Sequence, residues 1–137
     1  MAKKKLIVVS HDAMVYEDLE YLSERPAFRT LIDNGSVVDR VRTIYPSITY
    51  PVHTTIQTGR YPDAHGITGN EMEKCGVLAD TWHFFHDDIK VPTIFEAAKQ
   101  AGLTTASVFW PITGNNPHID YLVNEYWSQT PDEDIFD

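Results

Sequence analysis

The sequence holds a single cysteine, Cys75, among 137 residues. No internal disulfide can form, and the pattern is not that of a secreted disulfide scaffold. Basic side chains are also scarce, 11 lysines and arginines against 20 aspartates and glutamates, for a formal net charge of −9. That balance works against a nucleic-acid polymer or an anionic membrane surface as principal partner, and an anionic substrate needs a local positive site. Long apolar runs are missing. Met1-Ala2-Lys3-Lys4-Lys5 resembles the charged start of a signal segment, but the Leu6 to Val9 run behind it meets Ser10, His11 and Asp12. It is far shorter than a signal h-region or the roughly 20 apolar residues of a membrane span. The expected location is cytoplasmic. No internal repeat, linker or low-complexity tract interrupts the chain.

What is present suits one folded domain. Hydrophobic residues make up 42% and charged residues 23%, near the globular average. Leu6-Ile7-Val8-Val9 is a short apolar run bounded by lysines and polar residues, the pattern of a strand buried on both faces of a parallel sheet. Apolar residues from Tyr16 to Leu22 and from Phe28 to Ile32 fall at helical spacing, with Pro26 placed to begin the second helix and Asn34-Gly35 to stop it. Val37 to Ile44 reads as a second, partly exposed strand that closes at Tyr45-Pro46. Thr93 and Glu96 form a capping box for a helix through Phe95, Ala97 and Ala98, Gly102 closes it, and Thr104 to Trp110 reads as a strand. Strand and helix alternate, which predicts an α/β layered sheet. The acidic stretch from Pro131 to Asp137 reads as a solvated end.

Between Pro46 and Asn70 the chain is dense in Pro, Gly, Thr and His, and chemistry is expected there. Asp12, at the end of the first predicted strand, fits either a carboxylate for a divalent metal or a cap of a turn or helix. Thr49 precedes Pro51, which can occupy the first turn of a helix running through Ile56 to Thr58. Its hydroxyl then sits at a helix N-terminus, where a phosphate is favoured, or it is a plain N-cap. Gly59, Gly66 and Gly69 permit tight turns, and Asn70 supplies an amide suited to a phosphoryl oxygen, although the stretch alone reads as a turn-rich loop. The glycine spacing excludes a P-loop or a dinucleotide fingerprint. Cys75, His83 and His86 lack the paired spacing of structural zinc sites and read as surface or packing residues. His11 and His118 are unspecific, and Tyr121, Tyr126 and Trp127 read as packing residues.

Leu6-Ile7-Val8-Val9-Ser10-His11-Asp12, Tyr45-Pro46-Ser47-Ile48-Thr49-Tyr50-Pro51-Val52-His53 and Thr58-Gly59-Arg60-Tyr61-Pro62-Asp63-Ala64-His65-Gly66-Ile67-Thr68-Gly69-Asn70 together resemble the nucleotide pyrophosphatase/phosphodiesterase branch of the alkaline phosphatase superfamily. Val91 to Ala98 and Ala106 to Pro111 extend the likeness over nearly the whole chain. The resemblance implies an alkaline-phosphatase-like layered sheet with helices on both faces, of which residues 1–137 are the N-terminal part. It implies a two-zinc (Zn2+) hydrolase of phosphodiester or pyrophosphate bonds acting on nucleotide-type esters. Thr49 is then the nucleophile of a phosphothreonine intermediate, Asp12 and Thr49 bind one zinc, and Asn70 holds a phosphoryl oxygen with a backbone N–H beside the nucleophile. Ala13 stands where the family usually has Gly, and Val52 where Asn is common. A non-catalytic phosphate-binding or interaction module is the rival reading, and a phosphomonoesterase or phosphonate hydrolase is the rival within enzymes. A cut domain exposes strand edges, so self-association or pairing with the missing C-terminal part of the domain is expected.

Overall fold

Pro26 and Pro51 each mark the first turn of a helix, one in each of the two units into which the chain divides, Met1–Arg42 and Thr43–Asp137. The computed structural model describes residues 5–38, 40–72 and 81–125. In the first unit, helix α1 spans Tyr16–Ser23 and helix α2 spans Pro26–Asn34. Asp18 Oδ2 accepts the Val15 N–H at 2.9 Å, which satisfies one of the donors left over at the start of α1. Pro26 is tolerated at the head of α2 because an N–H there has no helical acceptor. Gly35 ends α2, and a Cβ at that position would stand 2.6 Å from the Leu31 carbonyl oxygen, so only glycine fits. Both helices stand where the apolar spacing predicts them, and they pack on each other.

Neither strand predicted over Leu6 to Val9 and Val37 to Ile44 is formed among the described residues. Leu6 to Val9 makes no ladder among the described residues, and Leu6 and Ile7 are 80% and 82% exposed. The described residues of Val37 to Ile44 likewise form no strand. An apolar run is only a candidate strand. Burial on both faces needs a neighbour on each edge and a layer on each side, and the described part of the unit supplies only α1 and α2.

In the second unit, α3 is Thr49–Thr58, α4 is Pro62–His65 and α5 is Ile94–Gln100, with a 3-10 turn at His86–Asp88. Strand β1, Ala106–Val108, pairs in parallel with β2, Tyr121–Val123, with Ala106 opposite Tyr121. The strand predicted from Thr104 to Trp110 is therefore present in its middle. Thr93 Oγ1 accepts from the Glu96 N–H, and Gly102, at φ +73°, turns the chain out of α5 as expected. Asp120 joins three elements: it accepts from Lys99 Nζ of α5 at 2.6 Å and from the Thr105 N–H just before β1 at 2.8 Å, and it stands next to β2. The core is Tyr50, Ile67, Ile89 and Ile112, with Trp82 and Val91 against it. Helices and a two-stranded parallel sheet agree with the α/β class.

Ala13 lies in the His11–Met14 turn at φ +59°, a conformation that crowds a Cβ. The crowding costs roughly 1–2 kcal/mol, of which glycine's extra freedom in the unfolded chain offsets up to about 1. Ala13→Gly is therefore expected to raise stability by about 0.5 kcal/mol, read as a higher urea midpoint. A lower midpoint contradicts the strain.

Candidate active site at the start of helix α3

Helix α3 begins without a capping side chain of its own. Ile48 occupies the N-cap in extended conformation, and Thr49 is the first helical residue, so the plain N-cap alternative for Thr49 does not hold. The first N–H groups of a helix have no acceptor within it. Pro51 removes one of them, and the Val52 N–H reaches the Ile48 carbonyl at 3.2 Å. The Tyr50 N–H donates to Asn70 Oδ1 at 2.9 Å. A residue twenty positions along the chain thus does the work of the cap and brings its carboxamide to the residue next to Thr49. With Oδ1 engaged by Tyr50, the Nδ2 end of the amide is the donor of the pair. Thr49 is half-buried, and its carbonyl accepts from the His53 ring nitrogen Nδ1 at 2.8 Å.

Asn70 is held from a second side as well. The His83 N–H donates to the Asn70 carbonyl and the Met72 N–H to the Thr81 carbonyl, both at 2.9 Å, with Glu71 opposite Trp82 in an antiparallel bridge. Trp82 meets the fully buried Tyr50 ring edge-on at 5.3 Å. One tyrosine thereby contributes a backbone donor to Asn70 and a ring to the segment that pairs with Asn70.

Asp12 belongs to the first unit, is exposed, and accepts the Ala13 N–H through Oδ1 at 3.0 Å, as a turn residue does. Among the described residues no group of three or more His, Cys, Asp or Glu side chains is placed to hold a metal ion. His83 pairs with Asp88 at 2.9 Å, and His86 meets Asn116 at 3.2 Å and the His118 ring at 6.2 Å between centroids. These three histidines are half-buried and pack. His11 is exposed against the Phe28 ring. Tyr121 is 69% exposed, contrary to the packing reading: among the described residues β2 pairs with β1 alone. Cys75, Tyr126 and Trp127 lie outside the described residues.

His65 was not legible as part of this site. It is fully buried; its Nδ1 accepts the Ile67 N–H at 3.1 Å and its Nε2 meets Thr55 Oγ1 of α3 at 3.0 Å. Burial holds its pKa below the ordinary value, with Asp63 opposing. His86 is lowered in the same way, by burial first and then by His118. No spacing rule marks either residue; in sequence His65 is one more histidine in a loop.

Residues 6–135 match the sequence model of the type I phosphodiesterase / nucleotide pyrophosphatase family. The chain belongs to this family. It is 33% identical over 109 residues to ectonucleotide pyrophosphatase/phosphodiesterase family member 1 of Homo sapiens, covering 72% of this chain and 12% of that protein. It is 30% identical over 129 residues to an ectonucleotide pyrophosphatase/phosphodiesterase of Caenorhabditis elegans, covering 91% and 16%. A bis(5'-adenosyl)-triphosphatase of Bos taurus is 29% identical over 131 residues, covering 88% and 28%. The chain thus spans between about an eighth and just over a quarter of the length of these relatives.

Two neutral histidines, the buried His65 and the half-buried His86, set the direction of the pH dependence. Their folded pKa values lie below the ordinary 6.5, so the unfolded chain binds more protons just under that pH. Their contribution is complete above about pH 6.5 and is lost as pH falls below it. Asp120, lowered chiefly by its hydrogen bond from Lys99, adds a loss at lower pH, below the ordinary carboxylate value. Urea midpoints are expected to hold from pH 7.5 to about pH 6.5 and to fall from there down to pH 5, and a midpoint that stays flat or rises below pH 6.5 contradicts the assignment.

Proposed function

We propose that the chain forms part of a hydrolase of phosphodiester or pyrophosphate bonds in nucleotide-type esters, with Thr49 as nucleophile. The observation that carries this reading is the Tyr50 N–H to Asn70 Oδ1 bond, which brings a carboxamide to the residue next to Thr49 at the start of a helix. The family membership supports it, and the relatives' names point to nucleotide pyrophosphates as the substrate class. In this reading the 137 residues are the N-terminal part of a larger layered α/β domain with helices on both faces.

The Thr49 hydroxyl oxygen attacks phosphorus, the bond to the leaving oxygen breaks, and water then cleaves the phosphothreonine. Asn70 Nδ2 donates to a non-bridging oxygen as charge builds on it, and the positive end of α3 favours the same charge. Asp12 and Thr49 would hold one of two zinc ions. These two oxygen donors are fewer than the three or four protein ligands zinc takes, so the other ligands come from other residues. Zinc, when bound, lowers the pKa of a coordinated hydroxyl and neutralises charge on the phosphoryl group.

Asn70 has two separable duties in this reading, and substitution distinguishes them. Thr49→Ala in the full-length protein is expected to abolish hydrolysis of a nitrophenyl ester of a nucleotide, while Thr49→Ser keeps part of it. Asn70→Ala removes both the acceptor for Tyr50 and the donor to substrate, lowering kcat by roughly 10²–10³. It also costs about 1 kcal/mol of stability through the lost cap. Asn70→Asp keeps an acceptor for the Tyr50 N–H but has no amide donor, so stability is expected to hold while kcat still falls. Equal activity in wild type and Thr49→Ala removes Thr49 from the mechanism, and a full-length protein inactive with saturating zinc favours a non-catalytic binding module.

A further inference from the structure

Two contacts tie the loop after α3 back onto that helix. At its far end Asn70 Oδ1 takes the Tyr50 N–H, and at its near end the His65 ring meets Thr55 Oγ1. Tyr50 and Thr55 are separated by five residues of helix, about 7.5 Å of rise, and His65 and Asn70 by five residues of loop, which can span roughly twice that distance. The loop is therefore slack unless something inside it fixes its path. His65 does so by a second bond: its Nδ1 accepts from the Ile67 N–H at 3.1 Å, setting a turn at Gly66, whose φ is +85°. Ile67 is thereby aimed into the core beneath Tyr50, and both are fully buried. An Nδ1 that accepts is unprotonated, so the proton of the neutral ring is on Nε2 and is donated to Thr55. The His65 carbonyl also receives the Lys90 N–H at 3.1 Å, which pins the residue from the outside.

We propose that His65 is a positioning residue for the candidate site: as the neutral Nε2–H tautomer it fixes the loop that carries Asn70, and the Tyr50–Asn70 contact beside Thr49 depends on it. The catalytic meaning of that contact rests on the reading above. The dependence itself does not, because it is measured on the contact and not on turnover. Protonation of the ring turns Nδ1 into a donor facing the Ile67 N–H, so the turn and the contact loosen together. The charged groups around the ring are Asp63 of α4, which favours protonation, and Lys90, whose side chain lies over Gly66.

The test is amide hydrogen exchange on the whole chain, wild type against His65→Ala and His65→Asn. Asparagine keeps a side-chain acceptor for an N–H two residues on, as in an Asx turn, and alanine keeps none. In His65→Ala the Ile67 and Tyr50 amides are expected to exchange at least about tenfold faster relative to the distant Leu103 and Phe109 amides, and His65→Asn to restore most of the protection. A Tyr50 amide that keeps its wild-type rate while Ile67 is released overturns the proposal, as does a His65→Asn protein no better than His65→Ala. Should alanine unfold the chain so that all amides exchange together, the wild type decides. The Tyr50 amide resonance must then titrate with the apparent pKa of the His65 ring nitrogens, whose 15N shifts must also report the Nε2–H tautomer above that pH. Independent titration, or the opposite tautomer, overturns it.

Discussion

A helix that starts without a cap must find acceptors for its first N–H groups, and in this protein that need shapes the candidate site. The Ile48 side chain cannot accept, Pro51 removes one donor, and the Tyr50 N–H turns to Asn70. To meet it, the chain after α3 has to come back across the start of the helix. The left-handed Gly59 and Gly66, the short helix α4 and the His65 turn are the means by which it does so. The resulting closure brings a carboxamide to the N-terminus of the helix that Thr49 begins. Both favour negative charge on a phosphoryl oxygen, and neither carries a full positive charge itself. This suits a chain with a net charge of −9, in which few cations are at hand.

The same closure explains why the buried side of α3 is polar. Tyr50, His53, Thr54 and Gln57 lie at helical spacing and are all buried. His53 donates to the Thr49 carbonyl and sets its ring edge-on to Trp110 at 5.2 Å, and Gln57 donates to the Pro111 carbonyl at 3.3 Å. An apolar residue in place of Gln57 would bury as well but would take the donor from the Pro111 carbonyl, at a cost of about 1–3 kcal/mol. The polar face therefore joins α3 to the stretch after β1. In that stretch Phe109, Ile112 and Asn115 all take positive φ. Ile112 does so while buried in the core with Tyr50. Such a conformation is costly for a β-branched residue and persists only where packing on all sides fixes it.

Local signals were legible in the sequence, and pairings were not. Pro26, the Thr93–Glu96 pair, Gly102 and the Pro51 helix start each act over a few residues, and each stands where the pattern places it. Leu6 to Val9 and Val37 to Ile44 carry strand composition, but a strand exists only with a partner, and the described residues provide none. Within the site, Thr49 and Asn70 were named from their motifs, and the structure brings them to one helix end. The bond from the Tyr50 N–H to Asn70 Oδ1 was not legible, because nothing in a sequence shows that a residue twenty positions away replaces a missing cap. His65 escaped notice for a related reason. Its role follows from complete burial and from which ring nitrogen accepts, and both are tertiary facts.

The account stands or falls on where a phosphoryl group lands. Trypsin cuts after Arg42 and Arg60, releasing a peptide that contains Thr49 together with the hydroxyls of Thr43, Tyr45, Ser47, Tyr50, Thr54, Thr55 and Thr58. The full-length protein, mixed with a nitrophenyl ester of a nucleotide, acid-quenched within the first turnover and digested, gives a direct reading by fragment mass spectrometry. The account predicts phosphate, or the corresponding nucleotide adduct, on Thr49 and on none of the other hydroxyls. Hydrolysis that proceeds with the adduct on a different residue, or with an unmodified peptide at every quench time, would contradict it.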